Sequence, residues 1–550
     1  MCAVDEWGIT EGYHDVAGRW HATDPAVRDR IRSSMGEPQP GRPLWFVVEG
    51  TRHTLWNRCD LVLDTGGRLD GLDELPPDVP IGYHDLCPHD GSTPTRVIVH
   101  PARCPELARG WGVAAQVYAL WSDRSWGIGD LRDLRELGER VLAAGGMAVL
   151  VSPLHQPAPT QPPEPSPYYP SSRRAWNPML LAIDAPVPPR LRCTPDTLID
   201  RDDVWIAKRS VLEARFDAED DGSVVPGTVS AWNAHCDVLR SDWTAWPTDL
   251  TPYEDDPEWQ RRARFHEWLQ LQVADQLAAV AATGITVVGD LAVGFCPNGA
   301  DAHAFRDQLA LDMRIGAPPD RFNTAGQEWG LPPFVPWRLR QALYEPFVQT
   351  VRAALRGVHA LRIDHVMGLF RQYWVPAGSP PTEGAYVRYP AEELLAVICL
   401  EATRAGAFVV GEDLGTVEQS VRDTLAAHGI AGTKVLWFEH DTPDAWPESS
   451  LATVTTHDLP TAVGVWNRGR TGDPADDEVF ERLVAVAPDA TSAADAARAA
   501  NAALRAGSAR LRLVTTDDLA LAEHQPNVPG LNDEPNWRRR LPLPVDHLLA

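Results

Sequence analysis

The sequence predicts an α/β protein, a (β/α)8 barrel with helical subdomains inserted in its βα loops and a small β-rich domain in front. Three observations carry that expectation. Eight short apolar runs recur from about residue 112 onward, helical patterns lie between several of them, and the first hundred or so residues lack this rhythm. Continuous apolar runs suit parallel strands buried on both faces. Eight strand–helix units that close on themselves make a barrel. A chain of 550 residues with 44 % hydrophobic and 23 % charged side chains has ample material for a large core plus an accessory domain.

Residues 1–108 form the expected N-terminal domain. LWFVVEG (44–50), TLWNRCDLVLDTGG (54–67), PPDVPIGYHDL (76–86) and TRVIVHP (95–101) are short β-rich runs bounded by Gly, Pro and Asp. Residues 109–550 form the expected barrel. Its strand candidates are AAQVYAL (114–120), MAVLVSPL (147–154), ITVVGDLAV (285–293), HALRIDH (359–365), AFVVGEDLG (407–415), TKVLWF (433–438), LATVTTHD (451–458) and RLRLVTTDD (510–518). RDLRELGERVLAAGG (132–146) and AEELLAVICLEATRAG (391–406) have helical periodicity and end in glycine. Two insertions are expected, at about 155–275 and 312–340. The first opens on a Pro-rich loop (155–176) that cannot be helical and closes on a long helix (257–284). Long βα loops on the C-terminal face of a barrel are where binding sites usually lie.

Composition excludes several function classes. The formal net charge of −26 disfavours nucleic acid and anionic membranes, and does not penalise a neutral ligand. Eight scattered cysteines without a CxxC pair argue against a disulfide scaffold or a zinc cluster and fit a reducing compartment. The N-terminal sequence has no basic and apolar leader, and no stretch approaches the ~18 apolar residues of a membrane span, so a cytoplasmic location is expected. No P-loop, no HExxH and no dinucleotide fingerprint occur. Tryptophan is in excess, 21 against 10 Tyr and 12 Phe. Indole faces stack on the C–H faces of sugar rings, which hints at carbohydrate; core packing is the bland alternative for any single Trp.

The placement of acids is the strongest chemical signal. Asp290 lies late in the third strand, Asp364 closes the fourth, Glu412 and Asp413 close the fifth, and His457 with Asp458 closes the seventh. In a barrel these ends converge on one face. An Asp after a strand is commonly a helix cap, but acids on four strands together favour a site. Arg362 and Asp364, at i and i+2, leave the same strand face, and an Arg beside a carboxylate keeps it ionised, as a nucleophile needs; an ordinary ion pair is the alternative. Glu412 and Asp413 point to opposite faces, and periodicity does not choose between them. A Glu among apolar strands would have the raised pKa of a general acid. Two carboxylates about 5–5.5 Å apart make a retaining glycosidase-type site, which hydrolyses when water is the acceptor and transfers when a sugar hydroxyl is.

These residues resemble glycoside hydrolase family 77, the amylomaltases and disproportionating enzymes of the α-amylase clan, in its longer, actinobacterial-like form. The motifs run in family order over about 112–545: QVYALWSDRSWGIGDLRDL (116–134), SPYYPSSRRAWNPMLL (166–181), GDLAVGF (289–295), PPDRFNTAGQEWGLPPF (318–334), LRIDHVMGLFRQYWVP (361–376), VVGEDLGTV (409–417), TTHDLPT (455–461) and QPNVPGLNDEPNWRRRLP (525–542). The resemblance implies a 4-α-glucanotransferase that moves α-1,4-glucan segments from malto-oligosaccharide donors to the 4-OH of glucose or maltosaccharide acceptors. It implies Asp364 as nucleophile, Glu412 as general acid/base and Asp458 as a third, stabilising carboxylate. It places Arg362, His457 and Asp290 around the sugar, and Tyr168, Asn177, Gln327 and Trp329 in donor and acceptor subsites. It implies no metal and no cofactor, and a monomer or homodimer acting on malto-oligosaccharides and α-1,4-glucans. Two positions depart from the family pattern: His303 stands where an aromatic is expected, and Tyr169 where Gln is usual. An α-glucan hydrolase and a non-catalytic glucan-binding barrel are the competing readings.

Overall fold

A computed structural model describes residues 4–15, 18–158, 160, 162–319, 325–415, 417–531 and 535–549. Cys2, residues 159 and 161 of the Pro-rich loop, 320–324 of the second insertion, residue 416 and residues 532–534 of the tail motif lie outside them. The chain divides into two units, Leu107–Ala304 with Arg356–Asp364 and Ala431–Ala550, and Met1–Glu106 with Phe305–Leu355 and His365–Ile430.

The first of these carries strands β1 (Gly110–Ala115), β2 (Ala148–Val151), β3 (Thr286–Leu291) and β4 (Ala360–Ile363). The strand Phe408–Gly411 (β5) falls in the other unit, and β6 (Gly432–Val435), β7 (Ser450–Thr453) and β8 (Leu511–Thr515) return to the first. The eight-stranded sheet has the order β5-β4-β3-β2-β1-β8-β7-β6, which is chain order wrapped so that the last strand lies beside the first. Six neighbouring pairs are parallel, from β1–β2 to β8–β1. Every residue of β4, β5 and β7 is buried, as strands covered on both faces require. This is the (β/α)8 barrel the apolar runs predicted.

The strands are shorter than the apolar runs, so that Glu412 follows β5 directly while His457 and Asp458 lie in the loop after β7 rather than closing it, and the first strand is displaced as well. The first strand occupies Gly110–Ala115, and the expected continuation becomes a 3₁₀ turn at Val117–Ala119. Its two glycines, Gly110 and Gly112, allow the sheet to close up. A Cβ at Gly112 would stand 2.1 Å from the Ala148 carbonyl oxygen, so only glycine lets β1 approach β2 this closely.

Helices follow where their caps are written. Asp130 caps Leu131–Ala143 and forms a capping box with Asp133, which also accepts from Ser122 and Ser125. The Pro-rich segment is not helical: His155–Pro157 pairs antiparallel with Pro170–Trp176. The remainder of that insertion holds helices Arg201–Glu219 and Thr228–Leu239. Pro257–Ala281, with Pro at its first position and Asp256 as cap, leads into β3. Among the described residues no helix is long and apolar enough to cross a membrane, and the seven described cysteines are free.

The second unit contains the N-terminal segment. Helix Pro25–Met35 precedes a five-stranded sheet in the order Leu44–Val48, Thr95–His100, Gly82–Pro88, His53–Val62, Arg68–Leu75. Arg68–Leu75 (RLDGLDEL) has too many charges to read as a strand in the sequence; an outer position with only one neighbour permits them. The same unit holds a four-stranded antiparallel sheet, Gln327–Glu328, Met313–Ala317, Arg371–Pro376 and Ala385–Arg388. The N-terminal segment bonds to its neighbours there. Thr10 N–H donates to the Tyr386 carbonyl at 2.9 Å, and the Tyr83 hydroxyl donates to Glu401 on helix Ala391–Ala405 at 2.8 Å.

Candidate active site

In parallel register Asp290 of β3 lies opposite Arg362 of β4. Both are nearly buried, at 6 % and 7 % exposure. One Arg362 nitrogen donates to both Asp290 oxygens, at 2.7 and 2.8 Å, and the other stands 3.0 Å from Asp364, two residues on and on the same face. A guanidinium has donors enough to hold two carboxylates at once. Neither acid is the solvated helix cap that the bland reading of Asp290 and Asp364 required.

Tyr168, set by the turn before Pro170–Trp176, donates its hydroxyl proton to Asp290 at 2.7 Å and lies 3.2 Å from Nδ1 of His457. The Tyr168 and His457 rings stack at 4.6 Å, and Trp537 packs on both at 5.4 and 5.3 Å. His457 Nε2 is 3.4 Å from Asp458. The Tyr168 hydroxyl donates to Asp290, and the two His457 ring nitrogens face the Tyr168 oxygen and the Asp458 carboxylate. Burial opposes a charged imidazole, but Asp458 outweighs it and raises His457 above its ordinary pKa. Burial likewise works against an ionised Asp458; His457, Asn527 and Arg362 together hold it below the usual carboxylate value. Burial and then Asp290 push Tyr168 well up, so it stays a donor.

The other unit holds the two acids after β5. Glu412 accepts from the backbone N–H of His365 at 3.0 Å on one oxygen and from that of Leu414 at 2.7 Å on the other. Asp413 turns away, is buried, and pairs with Arg422 at 3.1 Å. His365, the chain neighbour of Asp364, has a φ of 47°, in the left-handed region. Its ring meets Trp329 edge-on at 5.3 Å, and Trp329 Nε1 donates to Gln327 at 2.9 Å.

The structure thus brings Tyr168, Asp290, Arg362, Asp364, His457 and Asp458 into one network, and Gln327 with Trp329 into another. Asn177 belongs to neither. Its side chain caps the turn Pro178–Leu180 by accepting from Met179 N–H at 3.0 Å, and it lines a cavity of about 940 Å³ with Gln156, Tyr169, Trp205, Trp232 and Trp243. His303, one of the two departures, meets Trp243 and Trp246 at 5.4 and 5.5 Å. Sequence reasoning missed Asn527, whose amide donates to Asp458 at 2.6 Å, and Gln525, which donates to the Asp458 carbonyl at 3.0 Å. It also missed Trp537 and His365. Three of these four stand in the tail motif, a signal that was present without any residue being singled out from it.

Residues 115–545 match the family model described as 4-alpha-glucanotransferase, glycoside hydrolase family 77. The chain belongs to this family. The 4-alpha-glucanotransferase of Mycobacterium tuberculosis H37Rv is 42 % identical over 458 residues, covering 71 % of this chain and 63 % of that protein. The chain therefore spans less than two thirds of that relative's length. The 4-alpha-glucanotransferase of Haemophilus influenzae is 31 % identical over 466 residues, 72 % of this chain and 66 % of its own. The crystal structure of amylomaltase from Corynebacterium glutamicum superposes with a TM-score of 0.82 at 27 % identity, covering 98 % of this chain and 96 % of that one. As a family 77 protein the chain has the (β/α)8 barrel expected of it.

Proposed function

We propose that this protein is a 4-α-glucanotransferase that moves α-1,4-glucan segments from malto-oligosaccharide donors to the 4-OH of glucose or maltosaccharide acceptors, with retention at the anomeric carbon. Family membership supports the reaction class. The observation that carries the residue assignment is the Arg362 bridge, which holds Asp364 beside a cation on the same barrel face as Asp290.

Asp364 is the nucleophile. Its carboxylate attacks the anomeric carbon, the glycosidic C–O bond breaks, and Glu412 gives its proton to the departing 4-oxygen. The acceptor's 4-OH then attacks the glycosyl ester, returns a proton to Glu412 and releases Asp364. Two inversions give net retention. The two backbone N–H groups on Glu412 fix its carboxyl orientation for both transfers. Asp458, kept ionised by His457 and Arg362, stabilises the positive charge that develops on the sugar ring. Tyr168, Asp290 and His457 hold the donor sugar; Asn177, Gln327 and Trp329 line donor and acceptor subsites, and the Trp329 loop keeps water from competing with the acceptor. We place the division between accessory domain and barrel near residue 108, with insertions at about 155–275 and 312–340. The protein acts in the cytoplasm as a monomer or homodimer, on neutral glucans and with neither nucleic acid nor membrane as partner, in keeping with its net charge of −26.

The test is incubation of pure protein with maltotriose, following chain lengths and total reducing ends. Glucose plus longer chains at constant reducing ends is the expected result. A steady rise in reducing ends would make it a hydrolase, and no change with maltotriose or longer maltodextrins would make it a binding protein.

A further inference from the structure

The tryptophan excess is not used up by the barrel. Among the described residues, the large hydrophobic side chains left exposed include two aromatics, Trp20 at 46 % and Trp56 at 58 %, and both precede residue 107. Trp56 lies on the strand His53–Val62, where Leu55, Cys59 and Leu61 enter the core of the N-terminal sheet while Thr54, Trp56 and Arg58 face outward. Its ring does not stand alone. Trp45, on Leu44–Val48, lies 6.2 Å away and inclined at 59°, and His53 meets Trp45 at 5.1 Å. Trp45 is half-buried and packs on that core, His53 is half-buried as well, and Trp56 is the exposed face of the three-ring cluster. The two cations flanking it are matched, Arg52 by Glu74 and Arg58 by Asp73 at 3.9 Å, and the neutral amide of Asn57 donates to Asp90 at 2.6 Å.

An indole left in water beside a second indole, with a polar rim whose cations are already paired, fits a neutral ligand that offers apolar faces and many hydroxyls. A polyanion would meet here, among the described residues, only arginines that already face carboxylates, and would be repelled by the net charge of −26. The 59° inclination excludes a flat platform. Successive rings of an α-1,4-linked chain turn relative to one another, so inclined indoles suit it where a flat β-linked chain would reach only one of them. We propose that Trp45, His53 and Trp56 form a surface site on the N-terminal sheet that holds an α-1,4-glucan chain. The site rests on the glucan reading above and adds to it. A protein tethered to a long polymer meets further chain segments at a raised effective concentration.

Native electrophoresis of the full chain through gels with and without glycogen tests this. The wild type is retarded by glycogen. Trp56→Ala loses retardation, its apparent dissociation constant rising about three- to tenfold, Trp56→Phe retains part of it, and kcat/KM on maltotriose is unchanged in both. Equal retardation of wild type and Trp56→Ala, or none of the wild type, overturns the site. So does loss of maltotriose turnover together with retardation, which would make Trp56 part of the fold or of the reacting site. If Trp56→Ala alters sedimentation while leaving retardation intact, the patch is a contact between copies of the chain and the proposal fails. Retardation is scored without turnover, so a wild type inert on maltotriose would sink the transferase reading and leave this one to be judged by the gel.

Discussion

Arg362 is the residue on which the others depend. Its guanidinium holds Asp290 and Asp364 together, and a lysine ammonium, a single point charge, cannot span both. Arg362→Lys should lower kcat/KM on maltotriose about 10²-fold while the protein still folds. Asp364→Asn should lower kcat by about 10⁴-fold or more and leave maltoheptaose binding, read by calorimetry, nearly intact. His457 gives a second handle. Its pKa is held up against burial chiefly by Asp458. In Asp458→Asn the burial effect prevails, and the His457 ring resonances should titrate below the ordinary value of 6.5 rather than above it. An unchanged titration would show that Asp458 is not the dominant partner. At this scale the sequence was most legible where strand periodicity applied, as for Arg362 and Asp364. It was silent on Glu412 against Asp413, because what separates them is a backbone N–H from His365 and an ion pair with Arg422. Neither interaction leaves a mark in local pattern.

At the scale of elements, glycine in β1 and the C-terminal tail carry the lessons. Gly112 faces the Ala148 backbone, and a backbone obstacle does not yield to a change of rotamer. Gly112→Ala should therefore destabilise the fold by about 2–3 kcal/mol, read as a lower midpoint in urea. A neutral effect would mean that β1 and β2 can separate at little cost. The early start of β1 was hidden for the same reason: glycines that permit close approach look like breakers when the neighbouring strand is unseen. The tail supplies Asn527 to Asp458 from 69 residues away in sequence. Asn527→Ala should lower kcat about tenfold with little change in thermal midpoint, since it removes one hydrogen bond to a charged group. The contacts of Asp458 with the tail are long-range, so periodicity could not reveal them.

For the whole molecule, buried carboxylates set how stability depends on pH. Burial and the neighbouring Asp518 push Asp517 up to about 7, and burial pushes Asp518 up to about 6, both from an ordinary 3.8. Asp518 also has one buried oxygen without a hydrogen-bond partner among the described residues. A carboxyl whose folded pKa is raised binds its proton more tightly folded than unfolded. Its contribution is full below about 3.8 and is lost as pH rises through about 7. The urea midpoint should fall between pH 5 and pH 8, and Asp517→Asn should flatten that fall. Parallel slopes in the two proteins would remove Asp517 from the explanation. The barrel itself was legible because eight buried parallel strands write eight apolar runs. The N-terminal sheet was legible only in part, because the outer strand Arg68–Leu75 carries charge where an inner strand would carry apolar side chains.

The most direct measurement is covalent trapping. Glu412→Gln, incubated with α-maltotriosyl fluoride, has a donor whose leaving group needs no protonation and lacks the base that would activate an acceptor. Peptide mass analysis should then find a maltotriosyl ester on the peptide that contains Asp364. Fluoride release without an adduct on that peptide, or an adduct on Asp290 or Asp458 instead, would contradict Asp364 as the nucleophile of a retaining glucan transferase.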